Sequence, residues 1–117
     1  MEDKYEYDEE LYKVYTGKRF QGKICESKLA GYAKYSSAHS YFSLRLFMFP
    51  KCRYFLRKNR DSENYTIFSK FIRDDENVKL LEPVGRGTMF KDLKNYLGVK
   101  FGVIPGTNFY LELFPSK

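Results

Sequence analysis

Two short runs of alternating side chains meet at Phe49-Pro50-Lys51 and constrain the fold more than any other stretch of the sequence. In residues 39–49, one set of alternate positions is largely apolar: Ser40, Phe42, Leu44, Leu46 and Met48. The intervening positions mix rings with polar and charged groups: His39, Tyr41, Ser43, Arg45, Phe47 and Phe49. The second run alternates in the same way, with Cys52, Tyr54 and Leu56 against Arg53, Phe55 and Arg57. Because successive side chains of a strand point to opposite faces, the runs predict two strands with one core face and one face of arginines and rings.

A strand face that combines arginines with rings is typical of surfaces that bind single-stranded nucleic acid, because rings stack on bases and cations neutralise phosphates. We therefore expect a central binding set on this face: Tyr41, Arg45, Phe47, Arg53, Phe55 and Arg57. If Arg45 lies opposite Arg53 or Arg57, two like charges face each other, and such a pair is unfavourable without an anion between them. The alternative is that the rings form a second core beneath a terminal arm or a helix.

The aromatic content and the distribution of charge favour a binding surface. The 117 residues include eleven Tyr and eleven Phe, and a single core of this size cannot enclose them all. Residues 1–13 contain six acids and two lysines, for a net charge of −4, whereas residues 14–117 contain nineteen bases and nine acids, for a net charge of +10. We interpret residues 1–13 as an acidic flexible arm and residues 14–117 as one basic domain with a polyanionic partner.

Residues 14–35 predict a long, bent first strand that leads into a basic, aromatic loop. Phe20, Ile24 and Leu29 do not share one parity, and Gly22 between them marks a position where a bulge would restore the alternation. The cations and rings around this connection form a secondary binding set: Lys18, Arg19, Lys23, Tyr32, Lys34 and Tyr35.

Two later segments have apolar residues at helical spacing. The first has Ile67, Phe68, Phe71 and Ile72 after a polar turn, although a strand across 64–69 is an alternative. The second follows Thr88 at an N-cap position, ends before Gly98, and places one apolar set on a single face: Met89, Phe90, Leu93, Tyr96 and Leu97. The sequence then closes with a predicted hairpin of Val99–Ile104 and Phe109–Phe114, joined by a turn over 105–108.

The resulting order is three strands, two helices and two strands. This order predicts a mainly β fold with helices, a five-stranded barrel of the oligonucleotide/oligosaccharide-binding type, the OB-fold. Residues 39–58 would supply its second and third strands, whose faces bind single strands in that fold.

Over residues 17–115 the chain resembles the OB-fold single-stranded-DNA-binding proteins of bacteriophages. The resemblance rests on the strand order, on SYFSLRLFMF as the second strand and on the closing stretch LKNYLGVKFGVIPGTNFYLELFP. It implies a non-catalytic coat for DNA replication and recombination intermediates in the cytoplasm, that of the host cell if the chain is viral, working with a recombinase or a helicase. The chain ends in ELFPSK, not in the acidic tail of bacterial relatives, so recruitment of partners through the C-terminus is not expected.

Other functional classes find less support in the sequence. Asp74, Asp75 and Glu76 are consecutive, the single His39 supports no catalytic triad, and Gly85-Arg86-Gly87 lacks a phosphate-loop motif. We expect neither an enzyme nor a metal or other cofactor, and no apolar run approaches the ~20 residues that span a bilayer. The alternative function is a protein-interaction module without nucleic-acid binding. RNA as the ligand and a homo-oligomeric state both stay open.

Overall fold

The computed structural model describes residues 7–74, 77–104 and 106–114, and the regular elements in these ranges are eight β-strands. They are β1 (Tyr12–Phe20), β2 (Lys23–Ser36), β3 (Tyr41–Leu46), β4 (Tyr54–Lys58), β5 (Tyr65–Asp74), β6 (Asn77–Phe90), β7 (Leu93–Phe101) and β8 (Phe109–Glu112). Each strand pairs antiparallel with the next, and β8 pairs with β1, so the sheet closes into a barrel. The expected five-stranded OB-fold with two helices is therefore wrong. Within the described ranges no helix is long and apolar enough to cross a membrane.

The interior of the barrel is a packed core built from alternate residues of the strands. An eight-stranded barrel is just wide enough for its interior to be filled by side chains. The fully buried core side chains include rings and aliphatic groups from most of the strands: Val14, Leu44, Leu46, Leu56, Ile67, Leu97, Val99, Phe101, Phe109 and Leu111. The Phe101 ring lies 4.7 Å from that of Tyr54 and 5.6 Å from that of Phe109, measured between centroids.

The two alternating runs form β3 and β4, as predicted. Leu44 faces Tyr54 across the ladder, and both lie in the core. The core face is therefore confirmed for the residues within the strands, namely Phe42, Leu44, Leu46, Tyr54 and Leu56. It is wrong for Ser40, Met48 and Cys52, which are exposed because they lie in the turns that flank the strands, as does the 49–51 junction. The buried Leu111 lies on the predicted inner face of the last strand. The predicted closing hairpin is also present as β7 and β8, although Pro105 of its turn lies outside the described residues.

The predicted first strand is two strands, because the chain reverses at Gln21-Gly22. Both residues have positive φ (48° and 74°), as the type I′ turn of a two-residue hairpin requires. The β1–β2 register shifts at two other places, between Val14 and Tyr15 and at Gly17. A Cβ at Gly17 would lie 2.6 Å from Ile24 Cγ2 and 2.9 Å from the carbonyl oxygen of Cys25, so the strand bends closely against its neighbour there.

Both predicted helices are strands. Residues 65–74 form β5, and the second segment consists of the end of β6, a turn at Lys91 and Asp92, and the start of β7. A spacing of four is a multiple of the two-residue period of a strand, so Leu93 and Leu97 share the inner face of β7 as they would share one face of a helix. Gly98 is not a helix terminus but lies beneath the Phe90 ring, which a Cβ would approach to 2.5 Å.

The acidic segment is described from Tyr7 onwards. Residues 12–13 belong to β1, and residues 1–6 of the predicted arm lie outside the described ranges. The Asp8 amide donates a hydrogen bond to the Tyr35 carbonyl (2.8 Å), and the Ser37 hydroxyl donates one to the Asp8 carboxylate (2.8 Å). The described end of this segment is therefore bound to the end of β2.

Candidate nucleic-acid interface

The outer face of the β3–β4 hairpin contains a buried group of rings. Tyr41 and Phe55 are only 0% and 4% exposed, respectively. The Phe71 ring of β5 stacks on Phe55 at 5.2 Å, and the Tyr7 ring contacts Tyr41 edge-on at 5.9 Å. Two of the rings expected to stack on bases are therefore enclosed in a second core. Tyr7 of the terminal segment and a strand, not a helix, cover them.

Two further residues of the predicted binding sets, Arg57 and Tyr35, are held by contacts within the protein. Arg57 is half-buried and donates a hydrogen bond to the His39 carbonyl oxygen (2.8 Å), with its guanidinium 5.9 Å from the Tyr41 ring centroid. Tyr35 lies in β2 and not in a loop, and its ring packs against core Phe42 at 4.7 Å. Neither side chain is placed as an open ligand contact.

Five predicted residues line one cavity of about 440 Å³ on the outside of the barrel, here called the wall cavity. It lies between the terminal segment, β2, β3 and the β3–β4 loop. Its lining consists of Tyr7, Leu11, Tyr32, Ala33, Lys34, Ser43, Arg45, Leu46, Phe47, Pro50 and Arg53. The five predicted members are Tyr32, Lys34, Arg45, Phe47 and Arg53, and the described lining contains no carboxylate.

The strand register positions the ring and the cations of the wall cavity. Tyr32 lies directly opposite Arg45, and Lys34 lies opposite Ser43. The Phe47 amide donates a hydrogen bond to the Ala30 carbonyl (2.8 Å), which fixes this residue at the start of the β3–β4 loop. Its ring is 53% exposed and meets the Tyr32 ring at 5.7 Å. The Phe47 and Tyr32 rings therefore form a pair, with Phe47 exposed to solvent, in the same cavity as the basic side chains.

Arg53 lies at the edge of the wall cavity with its orientation fixed. Its Nη2 donates to the Tyr7 hydroxyl (2.7 Å) and to Ser43 Oγ (3.0 Å). Its guanidinium is 5.4 Å from the Phe55 ring centroid, within the range of a cation–π contact. The β3–β4 ladder ends at the Leu44–Tyr54 pair, so Arg53 lies just before β4 and is not paired with Arg45. Both arginines line the wall cavity, and cations that share one concave surface favour the binding of an anion.

The other three predicted cations lie away from the wall cavity, near the tip of the β1–β2 hairpin. Lys18 pairs with Glu26 at 3.4 Å, and Arg19 pairs with Asp92 at 2.8 Å. Lys23 is exposed beside the turn, opposite Phe20. Sequence reasoning also missed Tyr7, for which the only signal was a tyrosine within the acidic segment.

Several tyrosines of the barrel have raised pKa values. Burial raises the pKa of Tyr12, and the carboxylates of Glu10 and Asp8 raise it further. Burial also raises the pKa of Tyr96, whose hydroxyl donates to the Glu112 carboxylate at 3.2 Å. Across the part of the chain that the structure describes, no three His, Cys, Asp or Glu side chains are grouped to hold a metal ion; Asp75 and Glu76 lie outside it.

Comparisons with family models, with curated proteins and with solved structures give no match to this chain. The geometry of the described residues therefore carries the argument about function.

Proposed function

We propose that this protein binds single-stranded DNA at the wall cavity without sequence specificity. The observation that carries the proposal is that Arg45, Arg53 and the exposed Phe47 ring line one cavity, in a lining without a described carboxylate. Phosphates and bases alternate along a single strand, so a binding surface needs cations next to rings. The wall cavity has both within the same concave surface.

Each side chain has a defined role in this proposal. The rings of Phe47 and Tyr32 stack on bases, and each stack is worth about 1–3 kcal/mol by alanine substitution. The cations Lys34, Arg45 and Arg53 contact phosphates, and each contact contributes a log–log salt slope of about −0.7 on a single strand. Contacts of these two kinds do not read base edges, so we expect little preference among sequences.

The coating of replication or recombination intermediates, and a recombinase or helicase partner, follow only if strand binding is found. These expectations came from a resemblance to OB-fold proteins, and the observed barrel is of a different kind. The proposal therefore rests on the site and not on the fold, because one fold can support unrelated functions.

The experiment is a titration with oligo-dT, followed by tyrosine fluorescence, since the chain has no tryptophan. The test variant is Arg45→Ala/Phe47→Ala, which removes one cation and one exposed ring from the wall cavity. The matched control is Arg60→Ala/Phe20→Ala, which removes the same residue types from exposed positions elsewhere. Binding should weaken in the first variant only, and oligo-rU in parallel establishes whether RNA is also bound. No binding of either polymer at about 50 mM salt would favour the protein-interaction alternative.

A further inference from the structure

A second cavity, which shares no lining residue with the first, lies between the outer face of β6, β7 and β8 and the tip of the β1–β2 hairpin. The strand β1 bends at Gly17, and Arg19 near its end reaches Asp92 in the β6–β7 turn (2.8 Å). Arg19 also lies 4.0 Å from the centroid of the Phe90 ring. The space enclosed is about 460 Å³ and is here called the hairpin cavity.

The lining of the hairpin cavity is basic, although two of its bases are ion-paired, Lys18 with Glu26 and Arg19 with Asp92. The cavity is lined by Lys18, Arg19, Arg86, Thr88, Phe90, Gly98, Val99, Lys100, Asn108, Phe109 and Tyr110, a described lining with four bases and no carboxylate. Arg86 and Lys100 lie directly opposite each other on β6 and β7, and both are exposed. Within residues 7–74, 77–104 and 106–114, neither has an ion pair.

A directly opposed pair of like charges destabilises a sheet. The cost is removed when an anion lies between the two cations, and the planar guanidinium of an arginine matches the oxygen atoms of phosphate in a bidentate contact. The hydroxyl of Thr88 and the amide of Asn108 are further hydrogen-bond donors in the same lining. The chemistry of the hairpin cavity therefore suits a ligand with several phosphate oxygens.

We propose that the hairpin cavity is a phosphate-binding site, separate from the wall cavity and independent of the DNA binding proposed there. Arg86 and Lys100 provide the central contacts because no described carboxylate neutralises them. Arg19, held by Asp92 and by the Phe90 ring, forms one side of the site. The ligand is either the phosphodiester backbone of a nucleic acid or a free phosphorylated compound, since both present the same groups.

The direct test is calorimetric titration of the whole protein with inorganic pyrophosphate, together with thermal unfolding with and without it. The wild type should bind pyrophosphate, unfold at a higher temperature in its presence, and bind more weakly as salt is added. Arg86→Gln/Lys100→Gln should weaken binding by at least about a hundredfold, since a hydrogen bond to a charged group is worth about 1.5–3 kcal/mol. Lys94→Gln, an exposed lysine of the same strand outside the cavity, should bind as the wild type does.

The same variants show whether a loss of binding reflects misfolding. Without ligand, Arg86→Gln/Lys100→Gln should unfold at the wild-type temperature or above it, because the substitution removes a like-charge pair. The inference is overturned if the wild type neither binds pyrophosphate nor gains stability from it, or if Lys94→Gln loses as much affinity as the double variant.

A parallel oligo-dT titration separates the two sources of phosphate. If Arg86→Gln/Lys100→Gln also weakens oligo-dT binding, the hairpin cavity takes the nucleic-acid backbone. If it loses only pyrophosphate binding, the natural ligand is a free phosphorylated compound. Both results support a phosphate site. Because Arg45→Ala/Phe47→Ala should retain pyrophosphate binding, a failure of the wall cavity as a DNA site can be distinguished from a failure of the hairpin cavity.

Discussion

The sequence pattern places Phe47 and Phe55 on the same face of the β3–β4 hairpin, but their substitutions should affect different properties. Substitution of Phe55 should lower stability, and substitution of Phe47 should weaken DNA binding. Phe55 is 4% exposed and stacks on Phe71 at 5.2 Å, whereas Phe47 is 53% exposed. Replacing a buried phenylalanine by alanine costs about 3–5 kcal/mol, which can exceed half of the total stability of a small domain. Phe55→Leu keeps most of the apolar volume and should cost about 1–2 kcal/mol, so the variant stays folded.

The assay pairs urea unfolding with oligo-dT affinity for both variants. Phe55→Leu should shift the urea midpoint downwards and leave the affinity of the folded protein close to that of the wild type. Phe47→Ala should change the free energy of unfolding by no more than about 0.5 kcal/mol, because its ring is largely exposed. It should weaken oligo-dT binding by about 1–3 kcal/mol, the worth of one base stack. The reasoning is refuted if Phe55→Leu weakens binding at unchanged stability, or if Phe47→Ala destabilises the fold and binds normally.

Three further predictions concern the turn, the terminal segment and the pH dependence. Gln21→Asn should raise the free energy of unfolding by about 0.5 kcal/mol in urea titrations, because asparagine prefers the positive φ that this turn position adopts; a lower stability would contradict the turn assignment. Tyr7→Phe removes an acceptor for Arg53 (2.7 Å) and should cost about 1 kcal/mol by the same assay; no cost would show that the contact is not formed in solution. Burial and the Glu112 carboxylate raise the pKa of Tyr96 in the folded state, so the stability it contributes is complete below pH ~10 and is lost as the pH rises through the folded pKa. Tyr96→Phe should therefore make the alkaline fall of the urea midpoint shallower, and an identical fall would refute this role.

The alternation of residues 39–58 was sufficient to predict two strands and the core side of the residues within them, but not that Met48 and Cys52 lie in the exposed loop between the strands. It could not show which residues on the other face would be covered, because Phe71 and Tyr7 come from distant parts of the chain. Long-range packing decides which rings remain exposed to solvent. The same alternating pattern therefore contains both the buried Phe55 and the exposed Phe47.

The predicted number of strands was too small for two local reasons. Gln21-Gly22 forms a tight turn without the Asn-Gly signal that usually marks one. In β5, apolar residues lie on both faces, with Ile67 in the core and Phe71 against the outer Phe55 ring, so the set Ile67, Phe68, Phe71 and Ile72 imitates helical spacing. The opposition of Arg86 and Lys100 could not be predicted either, because it exists only once both segments are neighbouring strands.

The central claim is that the wall cavity binds a single strand through Arg45, Phe47 and the cations beside them. Its most direct test is the salt dependence of oligo-dT affinity between about 50 and about 200 mM, in wild type and in Arg45→Ala/Phe47→Ala. Three phosphate contacts from this cavity predict a log–log slope of about −2, and thus roughly twentyfold weaker binding at the higher salt. Contacts at the hairpin cavity would make the slope steeper. The double variant should bind more weakly at both salts, with a slope shallower by about 0.7. An unchanged affinity and slope in this variant would contradict the account.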